Sequence, residues 1–176
     1  MFSAPLRDLL LRSADIGLFR PHWTDDILEE VRRNLVSTGR STEVQAQRLI
    51  QTLQSYFPEA LVTGHERLTP TMSNHPKDRH VLAAALISRS QVIVTHNLRD
   101  FSEEVLVPLK IRAQSPDGFL LYLYDLAPDV VVQIIIDQAS DLRRPPQNME
   151  RVLTALEPHA PHFANLISSR VAAPGG

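Results

Sequence analysis

Apolar residues recur at helical spacing along most of the chain. Leu6, Leu9, Leu10 and Ala14 stand three or four residues apart, the repeat of one helix face. They predict a helix over 5–14, with Pro5 suited to its first turn and Gly17 to its stop. Residues 18–23 carry no period and read as extended or irregular. Thr24 can cap a second helix, with Asp25 and Asp26 in the first turn, where the helix dipole favours carboxylates. Its apolar stripe is Ile27, Leu28, Val31 and Leu35. Thr42 with Gln45 makes a capping box for a third helix that runs to about Tyr56 and stops at Pro58.

Shorter elements follow. Residues 60–63 read as a short strand and 64–76 as a loop. Pro76 opens a fourth helix through Val81, Leu82, Ala85 and Leu86. The run QVIVT at 91–95 is β-branched and compact, as a buried strand is. A brief helix near 101–106 and an extended piece at 110–113 complete an alternation of helix and strand. That alternation predicts a parallel sheet with helices on its faces.

Beyond Ser115 the alternation ends. Ser115-Pro116 is a helix start, and an apolar run fills 119–123. Propensity alone would make the β-branched stretch 130–136 a strand. Val131, Ile135, Gln138 and Leu142 nevertheless share one helical face, and Pro128-Asp129 resembles a helix start, so helix is the reading. Arg143, Arg144, Pro145 and Pro146 break it. Helices over 149–156 and 161–169 follow, then a tail expected to be disordered over 171–176. The expected organisation is an α/β domain over 1–125 and a helical extension over 126–170.

Composition narrows the chemistry. The 176 residues, 43% of them hydrophobic, suffice for a substantial core. A formal charge of −2 gives no global attraction for nucleic acid, so RNA binding would need a local basic patch. With no cysteine, disulfides, thiolate catalysis and cysteine-ligated metals are excluded, which fits a reducing cytoplasm. No apolar run approaches the roughly 18 residues of a membrane span, and Arg7, Asp8 and Arg12 interrupt the N-terminal apolar stretch, unlike a signal peptide.

Three carboxylates stand where chemistry would want them. Glu30 falls on the shoulder of the second helix's apolar stripe, at the rim of a cleft, or is a solvated acid beside Arg33 and Asn34. Asp78 has Val81 and Leu82 at i+3 and i+4, which puts it on the buried face near a helix start. There it needs a cation or a partner, or simply enjoys the helix dipole. Asp100 follows the QVIVT run in THNLRDF, past the strand end where open α/β sheets bind ligands. With Glu103 it also reads as a D-x-x-E cap. Asn97 and Thr95 are polar groups at the same strand end. Carboxylates converging from two helices and a strand end could hold a hard cation such as magnesium, the common solution for phosphodiester hydrolysis. His75, His80 and His96 could supply a metal ligand or a base, but they match no zinc spacing and read first as loop or surface histidines. Arg33, Lys77, Arg79 and Arg99, with Arg32, could meet phosphates or be solvated charges.

The segments DDILEEVRRNL (25–35), HPKDRHVLAAAL (75–86) and VIVTHNLRDF (92–101) resemble, in order and spacing, those of PIN domains, particularly the VapC-type toxin nucleases. The resemblance covers about residues 2–125, and some VapC-like proteins carry a helical C-terminal extension like 126–170. It implies a PIN-like three-layer α/β/α fold with a parallel sheet and an endoribonuclease dependent on Mg²⁺ or Mn²⁺. It places metal ligands at Glu30, Asp78 and Asp100, with Asn97 at a position often acidic and Thr95 at the strand-end hydroxyl. RNA substrate, a small antitoxin next door and, as an open alternative, a homodimer are the partners it suggests.

One departure stands out. PIN domains normally open on an apolar strand ending in an aspartate, a central metal ligand, whereas MFSAPLRDLL resembles the segment just after that strand. The expectation is a functional protein that begins upstream of Met1, or else an inactive chain. Two rivals remain: a PIN-like module that binds RNA or an antitoxin without cleaving, and a phosphohydrolase on a similar sheet, which wants a nucleophilic aspartate after its first strand that this sequence also lacks.

Overall fold

A computed structural model describes residues 2–141 and 148–172. In chain order its elements are α1 (Ala4–Asp15), α2 (Asp25–Ser37), α3 (Glu43–Tyr56), α4 (Arg79–Ile87), β1 (Val92–Val94), α5 (Glu103–Leu106), β2 (Arg112–Gln114), α6 (Pro116–Leu126), α7 (Pro128–Asp141), α8 (Met149–Leu156) and α9 (Pro161–Ala172). The fold is mostly helical α/β, with one two-stranded parallel sheet among the described residues. Residues 142–147, including the break expected at Arg143, Arg144, Pro145 and Pro146, lie outside the described residues. So do residues 173–176 of the expected tail; Val171 and Ala172 instead complete α9.

The contacts divide the chain into two compact units, Arg20–Ala113 and Phe2–Phe19 with Gln114 onward. They do not follow a cut at residue 126: α1 and α6 belong with the C-terminal helices.

In the first unit the predicted caps form. Thr24 Oγ1 accepts the Ile27 N–H at 3.2 Å and opens α2. Thr42 and Gln45 make the reciprocal box that opens α3, at 3.3 and 2.9 Å. These bonds satisfy amides that a helix start leaves without internal partners. The core around the sheet is Leu82 and Ala85 from α4, Ile93 from β1, and Phe101, Leu106 and Ile111 from the connection to β2. β1 crosses over through α5 to β2, and Arg112 N–H bonds the Gln91 carbonyl at 2.9 Å. The parallel pairing therefore anchors the strand that leads to Asp100.

The strand expected at 60–63 does not form. Pro58–Ala60 is a 3-10 turn, and Leu61 makes a single parallel bridge with Trp23. Pairing is limited to Trp23 N–H to Ala60 at 3.0 Å and Val62 N–H to Trp23 at 2.8 Å. Gly64, at φ +82°, then turns the chain into two further 3-10 turns, His65–Arg67 and Thr69–Thr71, within the expected loop.

In the second unit α1 ends where Gly17 adopts φ +82°. The Gly17 and Leu18 amides return to Ala14 and Ser13 at 2.9 and 3.0 Å, a closure a side chain would strain. The β-branched stretch is helical, as α7, because burial overrides propensity: Val131, Ile135 and Gln138 are all almost fully buried on one face. Gln138 Nε2 donates to the Pro5 carbonyl at 3.0 Å, joining α7 to the start of α1. Among the described residues no single helix is long and apolar enough to cross a membrane; α6 and α7 reach that length only together, across a bend of 118°.

Candidate metal centre

Two short turns carry the site. Pro76–Asp78 is a 3-10 turn closed by Asp78 N–H to the His75 carbonyl at 2.9 Å, and Asp78 then occupies the N-cap of α4. The periodicity expected Asp78 on the buried face of a continuous helix. The tighter turn instead leaves its side chain 26% exposed at the helix start, facing a cleft. Leu98–Asp100 is the second 3-10 turn, immediately beyond β1. There Asn97 N–H bonds Thr95 Oγ1 at 3.0 Å, and Asn97 Nδ2 donates to Asp100 Oδ2. His75 N–H to the Asp100 carbonyl, at 3.5 Å, ties the turns together.

The consequence is a contact between like groups. The carboxylates of Asp78 and Asp100 bring oxygens within 4.8 Å of each other. His75 Nδ1 lies 4.0 Å from Asp78 Oδ2 and 3.9 Å from Asp100 Oδ2, so one ligand atom from each of the three falls within 4.8 Å of the others. Glu30 enters from α2, and its charge acts on Asp78. Burial first, then the nearby Asp100, hold the Asp78 carboxyl above the usual carboxylate range; Glu30 adds to this and His80 opposes it.

Glu30, His75, Asp78, Asn97 and Asp100 line one open cleft of about 530 Å³, with Arg33 and Lys77 among its cations. Arg79 and Arg99 are not among the lining residues. Arg79 Nε bonds the Asn74 carbonyl at 3.3 Å and so braces the loop before the site. Thr95 spends its oxygen on Asn97 and stands outside the lining as well.

Comparison with known proteins gives the family. The family described as VapC50 C-terminal domain matches residues 116–169. The Mycobacterium tuberculosis (strain ATCC 25618 / H37Rv) protein named "Putative ribonuclease VapC50" is 39% identical over 117 residues, 64% of this chain and 69% of that protein. The chain belongs to the VapC-type PIN-domain toxin family. No solved structure matches it significantly.

For this VapC-type chain the donor set passes a chemical test for a divalent cation. Two carboxylates this close repel each other, and a positive charge between them relieves that repulsion. Asp78, Asp100 and Glu30 supply the hard oxygens that Mg²⁺ or Mn²⁺ takes, and His75 could add one nitrogen.

Sequence reasoning misses some of the lining residues. Asn34 and Ser37 stand four and seven residues after Glu30, the spacing of one helix face, so the signal is present once Glu30 is placed. His75 reads from the sequence as a loop histidine. Its separation of three from Asp78, across a 3-10 turn whose side chains eclipse at that interval, is the clue that could have found it.

Proposed function

We propose that this chain is a metal-dependent endoribonuclease of the VapC type, working in the cytoplasm under the restraint of a small antitoxin. The observation that carries the reading is the close Asp78–Asp100 pair in an open cleft, with Glu30 and His75 beside it. The relative named as a ribonuclease supports it. The fold supports the same reading: a crossover from β1 to β2 with α4 packed on β1 is a connection that a three-layer PIN-like sheet would use.

Glu30, Asp78 and Asp100, with His75, would hold Mg²⁺ or Mn²⁺. Such an ion, when bound, acidifies its water and neutralises charge on a scissile phosphate. The chain's own groups do the rest. Asn97 holds one Asp100 oxygen by donating Nδ2–H, and Thr95 fixes Asn97 through its backbone. Lys77 and Arg33 offer cations to the RNA backbone, which positions the strand without reading its sequence. The near-neutral charge of the whole, −2, leaves substrate capture to this cleft. An antitoxin that inserts a basic side chain among the acids would supply the missing positive charge and close the site.

The test is cleavage of single-stranded and hairpin RNA by the purified chain with Mg²⁺ or Mn²⁺, against Asp78→Asn. Metal-dependent cleavage by the parent and its loss in a variant that melts normally is the expected result. RNA binding without cleavage in either protein would replace this reading with that of a binding module.

A further inference from the structure

His80 lies two residues past Asp78, in the first turn of α4. Its side chain is only 13% exposed, and its Nε2 faces Glu30 Oε1 at 3.6 Å. That nitrogen is buried and has no hydrogen-bond partner within normal reach. A buried ring nitrogen without a partner is unfavourable, so the gap to Glu30 is one that closing favours.

Glu30 needs such a hold. It is a long, flexible carboxylate, 45% exposed, on the outer shoulder of α2. The neighbouring cations on that helix pair elsewhere: Arg32 and Arg33 meet Glu29, at 2.6 and 3.7 Å. No arginine of α2 therefore draws Glu30 away, and the imidazole it meets comes from the helix that Asp78 opens. A single turn of α4 thus carries one acid of the site and the group that faces another.

We propose that His80 is a positioning residue: its Nε2–H donates to Glu30 and turns that carboxylate toward Asp78 and Asp100. The inference rests on the metal-centre reading above. Outer groups that orient metal ligands typically change affinity by about 10–100-fold when removed. In this pairing the carboxylate oxygen accepts and the imidazole donates through Nε2–H.

The experiment combines Mn²⁺ binding, followed by electron paramagnetic resonance, with ¹⁵N spectra of the histidine rings, both on the full chain. Wild type, Glu30→Gln, His80→Phe, His80→Gln and the Glu30→Gln/His80→Phe double variant are compared. His80→Phe should weaken Mn²⁺ binding about 10-fold or more. His80→Gln, whose amide N–H reaches a similar place, should restore most of it. The double variant should bind no worse than Glu30→Gln, because one interaction can be lost only once. Glu30→Gln, a change at a half-exposed residue that spares the fold, should move the His80 Nε2 resonance without any metal. An unmoved resonance, or wild-type Mn²⁺ affinity in His80→Phe, overturns the role of His80 while the metal centre stands. A wild-type chain that binds no Mn²⁺ overturns the metal-centre reading, and the positioning role falls with it.

Discussion

The carboxyl of Asp78 at the head of α4 and that of Asp100 beyond β1 bring oxygens within 4.8 Å of each other. One proton between two acids holds such a pair only while pH is low and no cation competes. The electrostatics of the site depend on which positive charge occupies that place.

The first prediction concerns pH. The Asp78 carboxyl is held above its ordinary value, chiefly by burial and then by Asp100. A raised carboxyl binds its proton more tightly in the folded than in the unfolded chain. Its stabilising contribution is full below the unfolded value, about 3.9, and is lost as pH rises through the folded value. Without metal, wild type should therefore lose stability relative to Asp78→Asn as pH climbs from about 4 toward neutrality. Thermal melts of both proteins in chelator across that range read the difference directly. A difference that does not change with pH would mean the two acids are not coupled as described.

A second prediction separates His75 from the acids. Its Nδ1 accepts the Lys77 N–H at 3.4 Å, longer than the usual 2.9–3.0 Å or so, and so weak enough for a cation to displace. Mg²⁺ takes oxygen ligands and keeps its waters, whereas Mn²⁺ gains more from an imidazole. His75→Ala should weaken Mn²⁺ binding by on the order of tenfold and Mg²⁺ binding much less. Calorimetric titration with each ion gives both numbers. Equal losses would show that His75 shapes the turn and does not bind the ion.

Much of this is legible in the residues, and the failures have physical causes. Caps are readable because they are local: Thr24, Thr42 with Gln45, and Ser115, whose oxygen takes the Gly118 N–H at 3.1 Å. The helix at Pro128–Asp141 is readable because its face period outlasts its β-branched composition. The strand expected at 60–63 fails because a strand exists only through its neighbour, and Trp23 offers Leu61 one bridge. The grouping of α1 with α6–α9 rests on contacts such as Gln138 to Pro5, which span most of the chain and leave no local trace. At the site Glu30 is legible from the shoulder of a helix stripe, Asp78 from a helix start and Asp100 from a strand end. His80 is not, since only the structure shows which carboxylate it meets.

The helical unit yields a prediction of its own. Asp117, in the first turn of α6, reaches the start of α9, where its Oδ1 accepts the Phe163 N–H at 2.9 Å and its Oδ2 meets His162 Nδ1 at 2.6 Å. It caps a helix that begins 44 residues after it, at Pro161. Loss of a helix cap costs about 0.5–2 kcal/mol. Asp117→Ala should therefore lower stability by about 1–2 kcal/mol in denaturant melts. Asp117→Asn, which keeps the acceptor, should lose less. Equal losses for the two variants would point to the charge facing His162 as the larger part.

The last prediction turns on Asn97, the residue at a place often acidic among the relatives this chain resembles. Asn97 Nδ2 donates to Asp100, so the amide answers a carboxylate that already meets Asp78. Asn97→Asp would remove that donor and set a third carboxylate against the pair. Without a cation the new group must either take up a proton or repel its neighbours, and both cost folding free energy at neutral pH. With a cation it becomes one more oxygen ligand, and affinity should rise. Asn97→Asp should therefore melt below wild type in chelator at pH 7, gain more than wild type when Mn²⁺ is added, and bind the ion more tightly. Mass action links the last two, since a ligand that binds only the folded chain stabilises it in proportion to the logarithm of its concentration over its dissociation constant. Melting curves with and without Mn²⁺, run beside a direct titration, check all three. A variant that melts with wild type in chelator and gains nothing from the ion would show that residue 97 faces away from the charges of the site.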